Sequence, residues 1–318
     1  TWASHVDMET GRPVENPDLD YEKQEQWVLP GPLGAHNWQA MSVDEEAGVV
    51  YIPAQDNPLI YGLSDEWKQS GIYKRNPNGW NTGLEFGRIT QLVVDNIADQ
   101  PTPKGYLKAF DPLTGKDKWV VEIPHYWNGG VLSSAGGLVF QGDALGMLTA
   151  YDKDNGEALW QFNTYTSMLA PPITFELDGV QYLSILTGTG GGDLFGGEPL
   201  PPVAEHASLT YNNYGRLLVF KVGGAEELPV PTVRDRTIPV QANLTASNDQ
   251  IAAGERPSHN YCAGGTGLAV RAGGAIPALR RMSEGTPTLF PPLVRAGLLA
   301  ATGTAPYSDW IWSEDPTS

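Results

Sequence analysis

The stretches that decide the fold are AFDPLTGKDKW at residues 109–119 and AYDKDNGEALW at residues 150–160. Alanine, aspartate, glycine and tryptophan recur at identical offsets, and the two copies begin 41 residues apart, at 109 and at 150. A repeat of this length is typical of a four-stranded blade in a β-propeller. The stretch HVDMETG at residues 5–11 is a degenerate third copy, which keeps the aspartate and the glycine but lacks the closing tryptophan. The repeat therefore predicts an all-β propeller.

Each copy of the repeat can be interpreted as two strands joined by a tight turn. Leu107, Ala109 and Asp111 lie at alternate positions, which is the pattern of a half-buried strand. In the turn that follows, aspartate accepts backbone N–H groups and glycine takes a positive φ. The second strand ends in Trp119 or Trp160, whose large apolar face is expected to wedge between adjacent blades.

The rest of the chain divides into three parts. Residues 1–222 contain about four blades, interrupted by a long polar insertion at residues 61–104. Residues 223–250 contain several prolines and no clear strand, which indicates a linker. Residues 251–318 are expected to form a small, mostly α-helical or irregular C-terminal module or a poorly ordered tail.

Composition and charge exclude several classes of protein. The chain has 318 residues and a formal net charge of -17, so it is a poor candidate for nucleic-acid binding. Cys262 is the single cysteine, which excludes an intrachain disulfide and a cysteine-cluster zinc site. No apolar run approaches the length of a membrane-spanning helix. The first residue is Thr1 rather than methionine, which indicates either processing or a piece of a longer protein.

Two stretches carry the residues of a candidate binding site, GAHNWQ at residues 34–39 and HYWNGGV at residues 125–131. Each places asparagine beside tryptophan just ahead of a strand. Asparagine offers a donor and an acceptor, tryptophan offers a flat face and an N–H, and paired glycines allow a close backbone approach. This combination suits a planar, oxygen-rich cofactor on a propeller axis. The residues alone favour the alternative, in which the tryptophans pack between blades and the asparagines cap turns.

Other possible motifs point to no chemistry. The glycine-rich stretch at residues 188–197 is followed by Pro-Leu-Pro-Pro rather than by a helix, so a nucleotide-binding loop is not predicted. The asparagine of Asn243-Leu244-Thr245 fits a glycosylation acceptor, but such triplets are common by chance. No nucleophile–base arrangement is evident from spacing. The histidines show no metal-ligand spacing; they are His5, His36, His125, His206 and His259.

With these residues in view, the chain resembles the C-terminal half of type II quinohaemoprotein alcohol dehydrogenases, which depend on pyrroloquinoline quinone (PQQ). The resemblance covers most of residues 1–224, and the repeats are similar to the tryptophan-docking motif of that family. The matching stretches are VDMETGRPVENP (6–17), PGPLGAHNWQAMS (30–42), VYIPAQ (50–55), GYLKAFDPLTGKDKW (105–119), WNGGVLSSAGGLVFQGDALGMLTAYDKDNGEALWQF (127–162), APPITFELDGVQYLSILTGTGGG (170–192) and GRLLVFKVGG (215–224).

The resemblance implies about half of an eight-bladed propeller in a periplasmic enzyme. Such an enzyme oxidises primary alcohols by hydride transfer to PQQ beside a bound Ca²⁺, and electrons pass to a cytochrome or an azurin-like acceptor. By motif, Asn37 and Trp38 should contact PQQ, and Trp127, Asn128 and Gly129 should line the same site. The catalytic aspartate and the Ca²⁺ ligands of the family come from its N-terminal half. We therefore predict no catalytic residue and no metal ligand in this chain.

The stretch YCAGGTG at residues 261–267 stands where the family's cytochrome c module has a Cys-x-x-Cys-His-Gly haem site. Gly265 replaces the second cysteine and Thr266 replaces the axial histidine. Covalent haem needs two thiols and a histidine ligand, so Cys262 alone predicts that haem c binding is lost or severely impaired. A sequence error or frameshift near the end is the alternative explanation.

The sequence thus predicts the C-terminal part of a PQQ-dependent alcohol dehydrogenase. One alternative is a non-enzymatic propeller scaffold, because similar repeats occur in assembly proteins of the outer membrane. Another is an inactive half-subunit that completes a site only with an N-terminal partner chain. The pair of HNW and WNGG stretches favours the quinoprotein, because a scaffold has no reason to keep both.

Overall fold

Short β-strands dominate the architecture. The computed structural model describes residues 1–72, 75, 84, 92–93, 95–188, 206–211 and 213–233. The strands within these ranges are β1 (Ala3–Val6), β2 (Pro13–Glu15), β3 (Gln26–Val28), β4 (Ser42–Asp44), β5 (Val49–Asp56), β6 (Leu59–Tyr61), β7 (Lys104–Asp111), β8 (Lys116–Ile123), β9 (Val131–Ser133), β10 (Leu138–Gly142), β11 (Met147–Asp152), β12 (Ala158–Asn163), β13 (Ile173–Leu177), β14 (Val180–Thr187) and β15 (Arg216–Lys221).

Helices are few and short in the described ranges. They are α1 (Asp65–Ser70), a 3₁₀ turn (Ile97–Asp99) and α2 (Ala207–Thr210). Within these ranges, no helix combines the length and the hydropathy needed to cross a lipid bilayer. The predicted module at 251–318 and most of the predicted linker lie outside the described residues.

The strands form separate antiparallel sheets, as a propeller requires. Two sheets have four strands each, in the orders β4-β5-β7-β8 and β9-β10-β11-β12. A third, β13-β14-β15, has three strands, and two-stranded sheets are formed by β1-β2 and β3-β6. The all-β class expected from the sequence is confirmed. The total of eight blades stays a prediction.

The turn of the repeat folds as its residues predict, whereas β8 and β12 continue past Trp119 and Trp160 and do not end there. In the first copy, the Asp111 carboxylate accepts the backbone N–H of Leu113 at 2.9 Å, and Gly115 has a φ of 68°. In the second copy, the Asp152 carboxylate accepts the N–H of Asp154 at 2.8 Å, and Gly156 has a φ of 78°. The degenerate copy keeps the same geometry at Asp7 and Gly11.

Trp119 joins one blade to the next. Its indole Nε1–H donates to the backbone carbonyl of Lys153 at 2.9 Å, and its ring lies 5.7 Å from that of Tyr51. A Cβ atom added to Gly156 would lie 2.8 Å from the Trp119 ring. The Lys153 ammonium also pairs with Asp44 at 3.0 Å. The glycine of the second copy therefore makes room for the tryptophan of the first.

Trp160 contacts the next sheet along the chain. Its ring lies 5.5 Å from that of Phe220 on β15, in an edge-to-face arrangement. A small core of Leu148, Met168 and Ile185 fills the space between the same two sheets. Both docking tryptophans are thus structural, as the sequence predicts.

The β13-β14-β15 sheet presents an apolar face to solvent. Ile173, Phe175, Leu186, Leu217 and Val219 are all exposed on it, with Leu217 at 64%. Contiguous exposed apolar surface of this kind favours association.

We expect the purified chain to sediment as a dimer or a larger species, and Leu186→Lys combined with Leu217→Lys to shift it towards monomer. Lysine places a charge on the apolar face, and burying an unpaired charge is unfavourable. Leu113→Lys is the control, because Leu113 is an isolated turn residue that is 93% exposed. A wild-type chain that is monomeric across the concentration range in sedimentation velocity would contradict this expectation.

Candidate cofactor site

Three lead-in segments meet where the chain passes from one sheet to the next. They are residues 36–40 before β4, residues 127–130 before β9, and residues 167–171 before β13. The backbone N–H of Val131 donates to the carbonyl of Ala40 at 2.8 Å, and that of Gly130 donates to Leu169 at 3.3 Å. The WNGG segment is therefore held between the other two.

The paired glycines of this segment are needed because protein backbone approaches them closely. A Cβ on Gly129 would lie 2.7 Å from the carbonyl oxygen of Gly142 and 2.9 Å from that of Met168. A Cβ on Gly130 would lie 3.0 Å from the backbone nitrogen of Ala40. The close approach predicted from Gly129-Gly130 is thus to the neighbouring segments of the protein itself.

The two tryptophans of the predicted site lie together but differ in burial. Trp38 is 53% exposed, whereas Trp127 is completely buried. Their rings are 6.2 Å apart and meet edge to face at 74°. Trp38 therefore offers an open aromatic surface, and Trp127 supports it from within.

Asn37 lies half-buried beside this surface. Its Nδ2 donates to the carbonyl of Leu33 at 2.9 Å, and its Oδ1 accepts the backbone N–H of Trp38 at 2.9 Å. An asparagine amide can form about four hydrogen bonds. Asn37 thus retains hydrogen-bonding capacity in addition to the two bonds that orient it.

Asn128 has a different environment from Asn37. It is buried, its Nδ2 donates to the carbonyl of His125, and its Oδ1 accepts the backbone N–H of Ala144 at 3.2 Å. The side chain therefore clamps the WNGG segment to the turn at residues 143–146. That Asn128 lines the cofactor site stays a prediction.

Two buried glutamines, which the sequence did not single out, hold the lead-in segments from behind. The Gln55 Nε2 donates to the carbonyls of Leu33 at 3.3 Å and Gly34 at 3.1 Å. The Gln141 Nε2 donates to the carbonyl of Gly129 at 2.9 Å. The alternation along β5 is the signal that could have identified Gln55, because it shares the buried face of that strand with apolar residues.

The sequence analysis also did not identify the third lead-in segment, residues 167–171, although the length of the repeat predicts its position. Adding the repeat length of 41 residues to Trp127 and Gly130 gives Met168 and Pro171. Met168 is completely buried, and a Cβ on Gly130 would lie 2.9 Å from the Cβ of Pro171. Extending the repeat beyond its closing tryptophan would have revealed this equivalence.

The structure brings together a buried serine–histidine pair that is distant in sequence. Ser167 Oγ lies 2.7 Å from the Nδ1 of His206, and both residues are completely buried. The Ser167 hydroxyl also donates to the carbonyl of Ala144 at 2.6 Å. A nucleophile needs access to substrate, so this buried pair is structural and connects α2 to the turn at residues 143–146.

Burial changes the pKa of two groups near the WNGG segment. Desolvation, with a smaller contribution from His206, lowers the pKa of His125 to about 3. Desolvation raises the pKa of Asp143 to about 6, against hydrogen bonds from the N–H groups of Met147, Leu145 and Gly146, which favour the carboxylate. His125 is therefore neutral at ordinary pH, and Asp143 gains a proton in mildly acidic solution.

Asp143→Asn is expected to stabilise the protein at pH 7.5 relative to wild type and to have little effect at pH 4. The folded pKa of Asp143 lies above its ordinary value of 3.8, so its contribution to stability is lost as the pH rises through about 6. Because Asp143 is only partly buried, we expect a difference of about 1–2 kcal/mol in the free energy of unfolding.

Urea unfolding at the two pH values measures this difference, and Asp111→Asn is the matched control. Backbone hydrogen bonds from Leu113 and Thr114 lower the pKa of Asp111, so the stability that its carboxylate contributes is present at pH 7.5 and is lost as the pH falls. Asp111→Asn is therefore expected to destabilise the protein at pH 7.5, with a sign opposite to that of Asp143→Asn. Identical pH dependence of wild type and Asp143→Asn would show that Asp143 titrates normally.

Comparison with known proteins places these features in a class. Residues 121–183 match the family model described as "PQQ: Glucose/ethanol/alcohol dehydrogenase, beta-propeller domain". The matched region contains the WNGG segment and the second copy of the repeat. The WNGG segment and Trp160 therefore lie in a region that is similar to the propeller of PQQ-dependent dehydrogenases.

The similarity to quinohaemoprotein alcohol dehydrogenases extends over nearly the whole chain. The sequence is 39% identical to quinohaemoprotein alcohol dehydrogenase ADH IIB of Pseudomonas putida, over 99% of this chain and 43% of that protein. The crystal structure of the Comamonas testosteroni enzyme matches with a TM-score of 0.64 and 31% identity, over 90% of this chain and 40% of that one. The structure of ADHIIG from Pseudomonas putida HK5 matches with a TM-score of 0.70 and 30% identity, over 93% of this chain and 42% of that one.

The chain spans about two fifths of the length of the curated relatives that it matches. Its similarity is therefore to one part of those proteins, consistent with the C-terminal half expected from the sequence.

Proposed function

We propose that this chain supplies one wall of the PQQ site of an alcohol dehydrogenase, with Trp38 and Asn37 in contact with the quinone. The single observation that carries the proposal is the half-exposed Trp38 ring, which lies edge to face against the buried Trp127 in the region that resembles the family. An exposed tryptophan that is held in place by the core suits a stacking or edge contact with a planar ligand.

The donor set fits such a group. PQQ is planar and rich in carbonyl and carboxylate oxygens, which accept hydrogen bonds. Asn37 can donate a further N–H, and Trp38 offers an apolar face beside it. Trp127, Asn128 and Gly129 lie beneath this surface and hold its shape through packing and backbone hydrogen bonds. We assign them a supporting role in the same site.

When bound, PQQ supplies a quinone that accepts hydride from the alcohol. The contribution of this chain is to orient that group and to limit access of water to one side of it. Asn37 directs an N–H towards an oxygen of the ligand, and a donor held in a fixed position stabilises charge that develops there. In the described ranges, no group of three or more histidine, cysteine or carboxylate side chains is arranged so that it could hold a metal ion. That the catalytic aspartate and the Ca²⁺ ligands come from another part of the protein stays a prediction.

The finer details of the whole protein are also proposals. We propose that it acts in the periplasm on primary alcohols, with Ca²⁺ held by residues that this chain does not supply. Electrons would leave through a cytochrome or an azurin-like acceptor. Cys262 and the residues around it lie outside the described residues, and the departure of YCAGGTG from the haem-attachment motif argues against haem c in this chain.

Quinone binding to the purified chain tests the proposal. The chain is titrated with PQQ in the presence of Ca²⁺, desalted, and the absorbance of the retained quinone is recorded. We expect saturable retention by wild type and a reduction of about tenfold in affinity for Trp38→Ala, because an aromatic stacking contact is lost.

Trp2→Ala is the matched control for Trp38→Ala. Trp2 is also partly exposed, at 39%, and lies outside the lead-in segments. We expect Trp2→Ala to retain quinone as wild type does. Absence of saturable binding, or equal losses in the two variants, would overturn the proposal.

A further inference from the structure

His125 is completely buried immediately before the WNGG segment, and neither the family motif nor the proposed site accounts for it. Its ring Nδ1 lies 3.0 Å from the backbone nitrogen of Trp127. A backbone N–H can only donate, so Nδ1 must carry a lone pair and the proton of the neutral ring must be on Nε2. The hydrogen bond therefore fixes both the tautomer and the orientation of the ring.

Two neighbouring rings restrict the imidazole further. It stacks on Tyr126 with centroids 4.9 Å apart and an interplanar angle of 15°, and it meets His206 edge to face at 5.6 Å. The Nδ1 of His206 in turn lies 2.7 Å from the Oγ of Ser167, which is the first residue of the third lead-in segment. Because burial keeps the pKa of His125 near 3, the ring stays neutral and Nδ1 stays an acceptor at ordinary pH.

The same residue also holds Asn128. The carbonyl oxygen of His125 accepts the Nδ2 of Asn128, and the other end of that amide accepts the N–H of Ala144. His125 thus contacts the WNGG segment through its side chain at Trp127 and through its backbone at Asn128. These two contacts set the direction in which the WNGG segment continues from His125.

We propose that His125 is a positioning residue for the quinone site. Its Nδ1 accepts the backbone N–H of Trp127, and this hydrogen bond orients the Trp127 indole and, through it, the Trp38 ring. The proposal rests on the proposed function for its link to the quinone. The path is short, because the Trp127 ring lies 6.2 Å from the Trp38 ring that forms the open surface.

The second ring nitrogen supports this assignment. The buried Nε2 of His125 has no hydrogen-bond partner within the described ranges. A buried donor without a partner costs folding free energy, and an apolar ring of similar size would avoid that cost. The acceptor at Nδ1 is therefore what this position gains from histidine.

Two substitutions separate the acceptor from the ring. His125→Asn places Oδ1 near the position of Nδ1 and keeps an acceptor, but it loses the ring. His125→Phe keeps the ring against Tyr126 and His206, but it loses the acceptor. A positioning role through the hydrogen bond predicts that His125→Asn resembles wild type and His125→Phe does not.

The first measurement needs no quinone. The protein is labelled with 5-fluorotryptophan, and the fluorine resonances of Trp127 and Trp38 are assigned from the Trp127→Phe and Trp38→Phe variants. We expect His125→Phe to shift or broaden both resonances and His125→Asn to leave both in place. If His125→Asn shifts both resonances and His125→Phe leaves them in place, ring packing rather than the hydrogen bond orients the WNGG segment. If neither variant changes the spectra, His125 does not orient the segment. Either result would overturn the proposal.

The second measurement uses PQQ with Ca²⁺. We expect His125→Phe to weaken quinone retention by about tenfold and His125→Asn to stay within about twofold of wild type. If wild type retains no quinone while the fluorine spectra behave as expected, the proposed function fails and the positioning of Trp127 and Trp38 stands. If wild type binds and His125→Phe binds equally well, the positioning proposal fails and the proposed function stands.

A third measurement covers the case in which His125→Phe does not fold. The ¹⁵N resonances of the His125 ring in the unmutated protein report which nitrogen carries the proton. A bare Nδ1 together with a protonated Nε2 supports the proposal. A protonated Nδ1 is incompatible with the hydrogen bond from Trp127 and would overturn it.

Discussion

Gly156→Ala is expected to lower the free energy of unfolding by about 3 kcal/mol or more, because it combines backbone strain with a clash. Gly156 has a φ of 78°, which an alanine adopts only at a cost. In addition, the new Cβ would lie 2.8 Å from Cε3 of the Trp119 ring, which is itself fixed by its bond to the Lys153 carbonyl. Because the ring is rigid and held from both sides, the blades must move apart to accept the methyl group.

Gly115→Ala is the matched control for this substitution. Gly115 occupies the same position in the first copy of the repeat and has a φ of 68°, but a Cβ there would meet nothing within 4 Å. It should therefore cost only the backbone term, about 1–2 kcal/mol. Urea unfolding of both variants measures the difference. Equal losses of unfolding free energy in the two variants would contradict the role of Gly156 in making room for the Trp119 ring.

Asn128→Leu has the second largest expected effect. Leucine has a similar shape but leaves the carbonyl of His125 and the N–H of Ala144 buried without their partner. Each unsatisfied buried group costs about 1–3 kcal/mol, so we expect a loss of about 3 kcal/mol in the free energy of unfolding. Quinone retention should then fall because the WNGG segment is no longer clamped.

Asn37→Leu is the comparison that separates support from contact. Asn37 is only half-buried, so water can replace its bonds to Leu33 and Trp38, and we expect a loss of stability below about 1 kcal/mol. Quinone affinity should nevertheless fall by about tenfold, because the donor to the ligand is removed. An Asn128→Leu variant as stable as wild type would show that the clamp between His125 and Ala144 is not formed.

The sequence was sufficient for the fold because the repeat is local. The aspartate and glycine of each copy determine a turn by their own chemistry, and the closing tryptophan lies at a constant distance from them. The structure places Trp119 on the next copy, as its period predicts. The degenerate copy at residues 5–11 agrees with this pattern, because no tryptophan stands eight residues after Asp7 and a Cβ on Gly115 would meet nothing within 4 Å.

The site was only partly predictable, because its residues act across sheets. Asn37 and Asn128 look equivalent in sequence, each beside a tryptophan and ahead of a strand. Their difference depends on the turn at residues 143–146, which comes from another part of the chain and supplies the N–H that Asn128 accepts. Likewise, nothing near His125 in sequence indicates its contact with His206, because 81 residues separate them.

The most direct test of the account is a crystal structure of the quinone-loaded protein. The account predicts difference density for the planar quinone against the open face of Trp38, with an oxygen within hydrogen-bonding distance of the Asn37 amide. Density for the quinone elsewhere, with the Trp38 ring still exposed to solvent, would contradict the central claim that this surface is the wall of the cofactor site.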